Sequence, residues 1–318
     1  MNDLERAVQT VVRRCLAVQP GEDVVVVVDE PLKHLGEKLR DAAQAAGAEG
    51  VLIVMSPRPT DGAEPPAPVA EALAACDVFI APASRSLSPT LARKRASEAG
   101  ARGATMPHVT EDMLARLMAI DFDTLGARSR AVANLLDAGA EAHVTCPRGT
   151  DLRLDLTGRR AIADDGDLTA PGAFGNLPCG EGFIAPRGGE GRMVATSLAA
   201  IGLVHGDPAT LTIEGGRLTA ATGPEGEQLL GMLREHGDAG TNLAELGVGT
   251  NDRATLTGNV LEDEKILGTV HVAFGASIAI GGTVSVPIHL DCVVTQASLT
   301  VDGTPVLEQG RFLLDGQG

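Results

Sequence analysis

Aromatic residues are nearly missing from this 318-residue chain: it has no tryptophan, no tyrosine and six phenylalanines. Tyrosine is thereby excluded as a catalytic acid or oxyanion donor, and stacking platforms for bases or sugars are scarce. Cysteine is sparse and unpatterned. Cys15, Cys76, Cys146, Cys179 and Cys292 are an odd, scattered set with no CxxC pair, which argues against a disulfide scaffold and for a reducing compartment. No apolar run approaches the length of a membrane span, and the amphipathic start "MNDLERAVQTVVRR" lacks the apolar core of a signal peptide, so a cytoplasmic location is expected. Positive charge is also short: 26 Lys and Arg stand against 42 Asp and Glu, a net charge of −16. Nucleic acid and anionic membranes are poor partners for such a chain, because both are bound through Lys and Arg.

What is present divides into two textures. Up to about residue 140, helical and strand patterns alternate. "LERAVQTVVRRCLAV" has apolar residues at three- and four-residue spacing, "DVVVVVD" (23–29) is a β-branched run, "HLGEKLRDAAQAAGA" is a second helix and "EGVLIVM" a second strand. "VAEALAACDVFIAPAS", "SPTLARKRASEAG" and "ARGATMP" continue the alternation, which predicts a parallel, doubly wound sheet. A nucleotide-binding version would carry GxGxxG after the first strand; here that strand runs into "DEPLKHLG". From about 141 onward, segments such as "AHVTCPRGTDLRLDLTG" and "ATLTIEGGRLTAATG" alternate apolar and polar residues with glycine at the turns, as antiparallel strands do. The expected architecture is an α/β domain over 1–140, followed by a β-rich α+β domain over 141–318 interrupted by one helix, "GEQLLGMLREHG".

Five ionisable residues of the second part sit where charge is out of place. Glu181 lies in "GNLPCGEGFIAP", Glu245 in "NLAELGVGTN", His271 in "GTVHVAFG", and His289 and Asp291 in "SVPIHLDCVV". In a strand, residues i and i+2 share a face, so His289 and Asp291 can reach one cation together. Imidazole and carboxylate donors suit Zn, Co, Mn or Fe. Five donors, three of them acidic, exceed what one tetrahedral zinc needs. Because carboxylates bridge, two metals sharing an activated water are the natural outcome. Taken singly, an HxD pair is weak and a strand histidine is more often a core residue. Glu264, in the charge run "EDEKILG", reads by default as an exposed turn; in the absence of tyrosine, Lys265 or Arg187 could hold a carboxylate or a tetrahedral oxyanion, with surface placement the default for both. Cys179 reads as a small apolar filler.

In order, "NLPCGEGFIAP", "ELGVGTN", "GNVLEDEKILGTVHVAFG" and "GGTVSVPIHLD" resemble the signature segments of the M29 metallopeptidases, the aminopeptidase T and aminopeptidase S family. The resemblance implies a dinuclear aminopeptidase with an α/β N-terminal and a β-rich catalytic domain, usually a homodimer. It implies Glu181, Glu245, His271, His289 and Asp291 as metal ligands, with one glutamate bridging and Glu181 and Glu245 serving catalysis. Glu264 falls in a matching "DEK" segment, as a further ligand or a neighbour of one. The chain departs from that family in three ways. The segment between "TVH" and "HLD" is short, Ser277 or Ile278 stands where a tyrosine is expected, and the family's "HWD" is "HLD".

The chain also resembles, in length and in "HLD", a related branch of the same fold, the 2,5-dihydroxypyridine 5,6-dioxygenases. That resemblance implies a single Fe(II) held by two histidines and one aspartate, one of those histidines standing at the position of Glu245. Retention of the acidic set favours the hydrolase: two divalent ions (Zn, Co or Mn) per chain, acting on a small peptide or amide. The rival readings are the mononuclear Fe(II) ring-cleaving dioxygenase and a non-catalytic binding protein on the same fold.

Overall fold

Strands Asp23–Asp29, Glu49–Met55, Val78–Ala83 and Arg102–Pro107 form from the β-branched and small apolar runs of the first part, and all pair in parallel. The computed structural model describes residues 1–315. A fifth strand, Phe174–Asn176, joins the edge beside Arg102–Pro107, so the spatial order begins with Glu49–Met55 and ends with Phe174–Asn176. Helices cover both faces. On one face, Gly36 of the helix Lys33–Ala45 sits so close to Val28 that an added Cβ would lie 2.6 Å from its Cγ1. On the other, Val25, Val27, Phe79 and Ala81 pack with Val69, Leu73, Ala92 and Ala96 of the next two helices. The doubly wound α/β expectation therefore holds. The returning strand Phe174–Asn176 was not foreseen, because three residues inside a Gly- and Pro-rich loop carry no periodicity.

The chain forms two compact units, Met1–Ile120 with Gly166–Cys179, and Asp121–Asp165 with Gly180–Gly318. It passes between them three times, and the helix Phe122–Ala138 belongs with the second unit rather than the first.

The second unit holds two antiparallel sheets, one of eight strands and one of seven. Their facing sides share a core: Leu246, Val248, Val270, Val272, Phe274, Leu290, Cys292 and Val294 from the smaller sheet meet Leu152, Leu154, Met193, Leu211, Ile213 and Leu299 from the larger. Burying a side chain of this size contributes about 1.5–3 kcal/mol, so the register that turns these residues inward is strongly fixed. Shifting a strand by one residue would exchange its two faces. The residues between them, on the opposite face of the seven-stranded sheet, carry the candidate metal ligands.

Candidate metal centre

Register places the five residues on one face. Gly247 pairs with His271 and His271 with Val293; Glu245 pairs with Ala273 and Ala273 with Asp291; Gly275 pairs with His289. One strand further on, Gly249 pairs with Glu181, which pairs with Asp164 at the sheet edge. The central strands Leu243–Gly249, Val270–Gly275 and His289–Val294, with Glu181–Ile184 beside them, thus alternate apolar residues toward the core with mostly ligand-type or very small residues on the other side, Phe183 and Val293 being the larger apolar members of that face. Glu245 reaches that face through a bulge. The register shifts between Leu243 and Glu245, so Leu243 opposes Phe274 in the core while Glu245 opposes Ala273. In a regular strand without the bulge, these two residues, two apart, would point the same way.

The glycines of "ELGVG" are explained by the same rows. A Cβ on Gly247 would lie 2.0 Å from Nε2 of His271, and one on Gly249 would lie 2.1 Å from the carbonyl oxygen of Ile266. The imidazole lies directly over the first glycine, and the backbone of the "EDEK" turn lies over the second. The strand His289–Val294 starts later than the apolar pattern of "SVPIHLD" suggests: Val286 and Ile288 lie before it, next to Pro287, which has no N–H to give a ladder.

Among the described residues two groups of three donors result, each with its ligand atoms within 4.8 Å of one another: Glu181, Glu245 and His271, and Glu245, His289 and Asp291. Glu245 belongs to both. Its Oε1 lies 3.5 Å from Nε2 of His271 and its Oε2 3.3 Å from Nε2 of His289. Nε2 of His271 is 3.1 Å from Oε2 of Glu181, and Nε2 of His289 is 3.6 Å from Oδ1 of Asp291.

These contacts are close without being good hydrogen bonds. Both ring nitrogens of His271 and Oε2 of Glu181 are buried with no hydrogen-bond partner. Polar atoms left this way cost free energy unless something else satisfies them. Clustered imidazole and carboxylate atoms that lack hydrogen-bond partners are what a cation would satisfy, so this donor set fits a divalent metal. The His289 ring is oriented for it as well: its Nδ1 lies 2.7 Å from the carbonyl oxygen of Ala276 and donates there, which turns Nε2 toward Glu245 and Asp291.

The electrostatics of the apo chain agree. Burial pushes the His271 and His289 imidazoles down, but the carboxylates beside them outweigh it and hold both well above the usual histidine range. Burial likewise opposes charge on Glu245, yet the two imidazoles carry its carboxyl down to about 2. Protons on the rings do what a cation would do.

The "EDEK" turn corrects the sequence reading. Glu262 accepts from the backbone N–H and hydroxyl of Thr255, at 2.8 and 3.0 Å. Asp263 accepts from the N–H groups of Thr257 and Gly258 and from the hydroxyl of Ser197. These bonds fold the turn so that Glu264 and Lys265 point inward. Glu264 is buried and Lys265 is fully buried rather than exposed. Nζ of Lys265 lies 2.6 Å from Oε1 of Glu181, 2.6 Å from Oε1 of Glu264 and 3.9 Å from Oδ2 of Asp164. Burial, reinforced by neighbouring carboxylates and opposed by Lys265, pushes both Glu264 and Asp164 up to about 8. Arg187, by contrast, is exposed and lies 3.9 Å from Asp155. Cys179 is buried, in keeping with an apolar filler. Asp164 was missed altogether: in "IADDGD" nothing distinguishes it from a surface acid until the register sets it opposite Glu181.

Comparison with solved structures finds the fold in several chains, among them two at 20% identity each. The 2,5-dihydroxypyridine dioxygenase of Pseudomonas putida KT2440 matches with a TM-score of 0.83, over 99% of this chain and 98% of that one. AmpT from Thermus thermophilus matches with a TM-score of 0.70, over 98% of this chain and 99% of that one. A comparison with curated protein sequences gave no match. The M29 resemblance thus stands as a likeness of fold to AmpT, while the family assignment comes from elsewhere. The family model NicX, 2,5-dihydroxypyridine 5,6-dioxygenase, matches residues 3–314, and the chain belongs to that family.

Proposed function

We propose that this chain is a metal-dependent hydrolase of small amide or peptide substrates, with two divalent cations held by Glu181, Glu245, His271, His289 and Asp291. The observation that carries the reading is Glu245, whose two oxygens are directed to different histidines and which is common to both donor groups. Such a carboxylate serves as a bridge. When bound, a cation pair supplies a water that is nucleophilic at neutral pH and a Lewis acid for the substrate carbonyl.

Asp164, Glu181, Glu245, Glu264 and Asp291 stand against one ammonium, that of Lys265, so the cluster is acidic and draws divalent cations rather than anions. Glu264 lies outside both donor groups and is the carboxyl suited to hold a proton. Near pH 7 it can take one from water and give one to a departing amine.

A second reading, an Fe(II)-dependent ring-cleaving dioxygenase, is favoured by the family match. Against it, the group Glu245, His289 and Asp291 offers one imidazole and two carboxylates, not the two imidazoles and one carboxylate of a facial triad. The two are separated by an assay under nitrogen and then under air, with the chain loaded with Mn, Zn or Fe(II). The hydrolase reading predicts release of free amine from aminoacyl amides without oxygen, and no oxygen uptake with dihydroxypyridines. Oxygen uptake and ring opening with the Fe(II) form, alongside inert amides, would establish the dioxygenase instead.

A further inference from the structure

Burying a lysine ammonium completely is costly unless its partners repay it, and Lys265 is buried completely. Its contacts are not spread evenly. The ammonium holds Oε1 of Glu181 at 2.6 Å, while the other oxygen of that carboxylate, Oε2, faces His271 Nε2 at 3.1 Å without a hydrogen bond. The same ammonium holds Oε1 of Glu264 at 2.6 Å. Lys265 itself is fixed from below, since the turn that carries it lies against Gly249, where no Cβ would fit.

We propose that Lys265 is a positioning residue of the metal centre: it pins Glu181 so that a single oxygen is offered beside His271, and it draws Glu264 aside from the cations. This rests on the metal-centre reading above. It has a consequence opposite to that of charge alone. An ammonium close to a cation repels it, so if Lys265 acted only as a charge, removing it would tighten metal binding. If it positions Glu181, removing it frees the carboxylate and loosens binding, by about 10–100-fold, as losing an outer partner of a metal ligand does.

The experiment titrates Mn2+ alone into the apo protein by calorimetry and follows thermal unfolding without metal in parallel. It compares wild type with Lys265→Met, Glu264→Gln and the double variant. The double variant removes one positive and one negative charge together, so it is spared the unbalanced acid that could prevent Lys265→Met from folding. The proposal expects both variants lacking Lys265 to bind Mn2+ about 10–100-fold more weakly. Glu264→Gln, in which Lys265 still holds Glu181, should stay close to wild type. Binding unchanged in the double variant, or tighter in Lys265→Met, overturns it and leaves the metal centre standing. A merely structural lysine would lower the unfolding temperature of these variants without moving Mn2+ affinity. Failure of wild type to bind Mn2+, Zn2+ or Fe2+ removes both the centre and this role of Lys265.

Discussion

Glu245→Ala is expected to empty both proposed cation positions at once and to abolish the proposed turnover. Each of the other four donors serves one group, so replacing His271 or His289 weakens one position directly and the other only through their shared carboxylate. Glu245 serves both. Even an outer partner of a metal ligand is worth about 10–100-fold in affinity, so removing a direct ligand common to two cations should cost more than that at each. Glu245→Gln sharpens the test: the amide keeps the shape of the side chain and one acceptor oxygen, and its NH2 now faces whichever group it turns toward. Metal analysis after dialysis should find the alanine variant empty and the glutamine variant with one ion at most. The apo fold should survive, because Glu181 still faces His271 and Asp291 still faces His289. A Glu245→Ala protein that retains full metal content and activity would mean that the centre is built on other residues.

The second large effect is expected at a residue with no functional group. Gly247→Ala inserts a methyl 2.0 Å from Nε2 and 2.3 Å from Cε1 of His271. The ring is fully buried and cannot swing into solvent. Either the imidazole leaves the donor group or the strands Leu243–Gly249 and Val270–Gly275 separate locally. Overpacking of this kind costs about 1–3 kcal/mol in stability, and a displaced ligand should lower metal affinity by about 100-fold or more. Gly231→Ala is the matched control: it lies in the helix Pro224–Arg234 with nothing within 4 Å of the added carbon. It should gain up to about 1 kcal/mol from helix propensity and leave metal binding untouched. Calorimetric unfolding with and without Mn2+ reads both effects. If Gly247→Ala binds metal as wild type does, the ring of His271 is not a ligand.

Much of this was legible from residue order, and the reasons differ by region. The alternating helices and strands before residue 110 are readable because a β-branched run such as "DVVVVVD" and an amphipathic "HLGEKLRDAAQA" have different periods. The donor residues were legible because charge inside glycine-rich apolar segments is unusual, and because His289 and Asp291 sit two apart. Three features were hidden. Lys265 and Glu264 read as solvated because charge runs usually are. Their burial depends on Glu262 and Asp263 spending their oxygens on backbone and hydroxyl donors, a tertiary arrangement. Asp164 becomes part of the cluster only through its register with Glu181. The bulge before Glu245, which decides the face its carboxylate occupies, leaves no mark in "NLAELGVG" beyond the glycines that follow it.

The central claim is that one carboxylate joins two cation positions. Anomalous diffraction at the metal edge, from crystals grown with Mn2+ or Zn2+, tests it most directly. Two peaks per chain are expected, one among Glu181, Glu245 and His271 and the other among Glu245, His289 and Asp291. A single peak, at the iron edge and beside His289 and Asp291 alone, would contradict it.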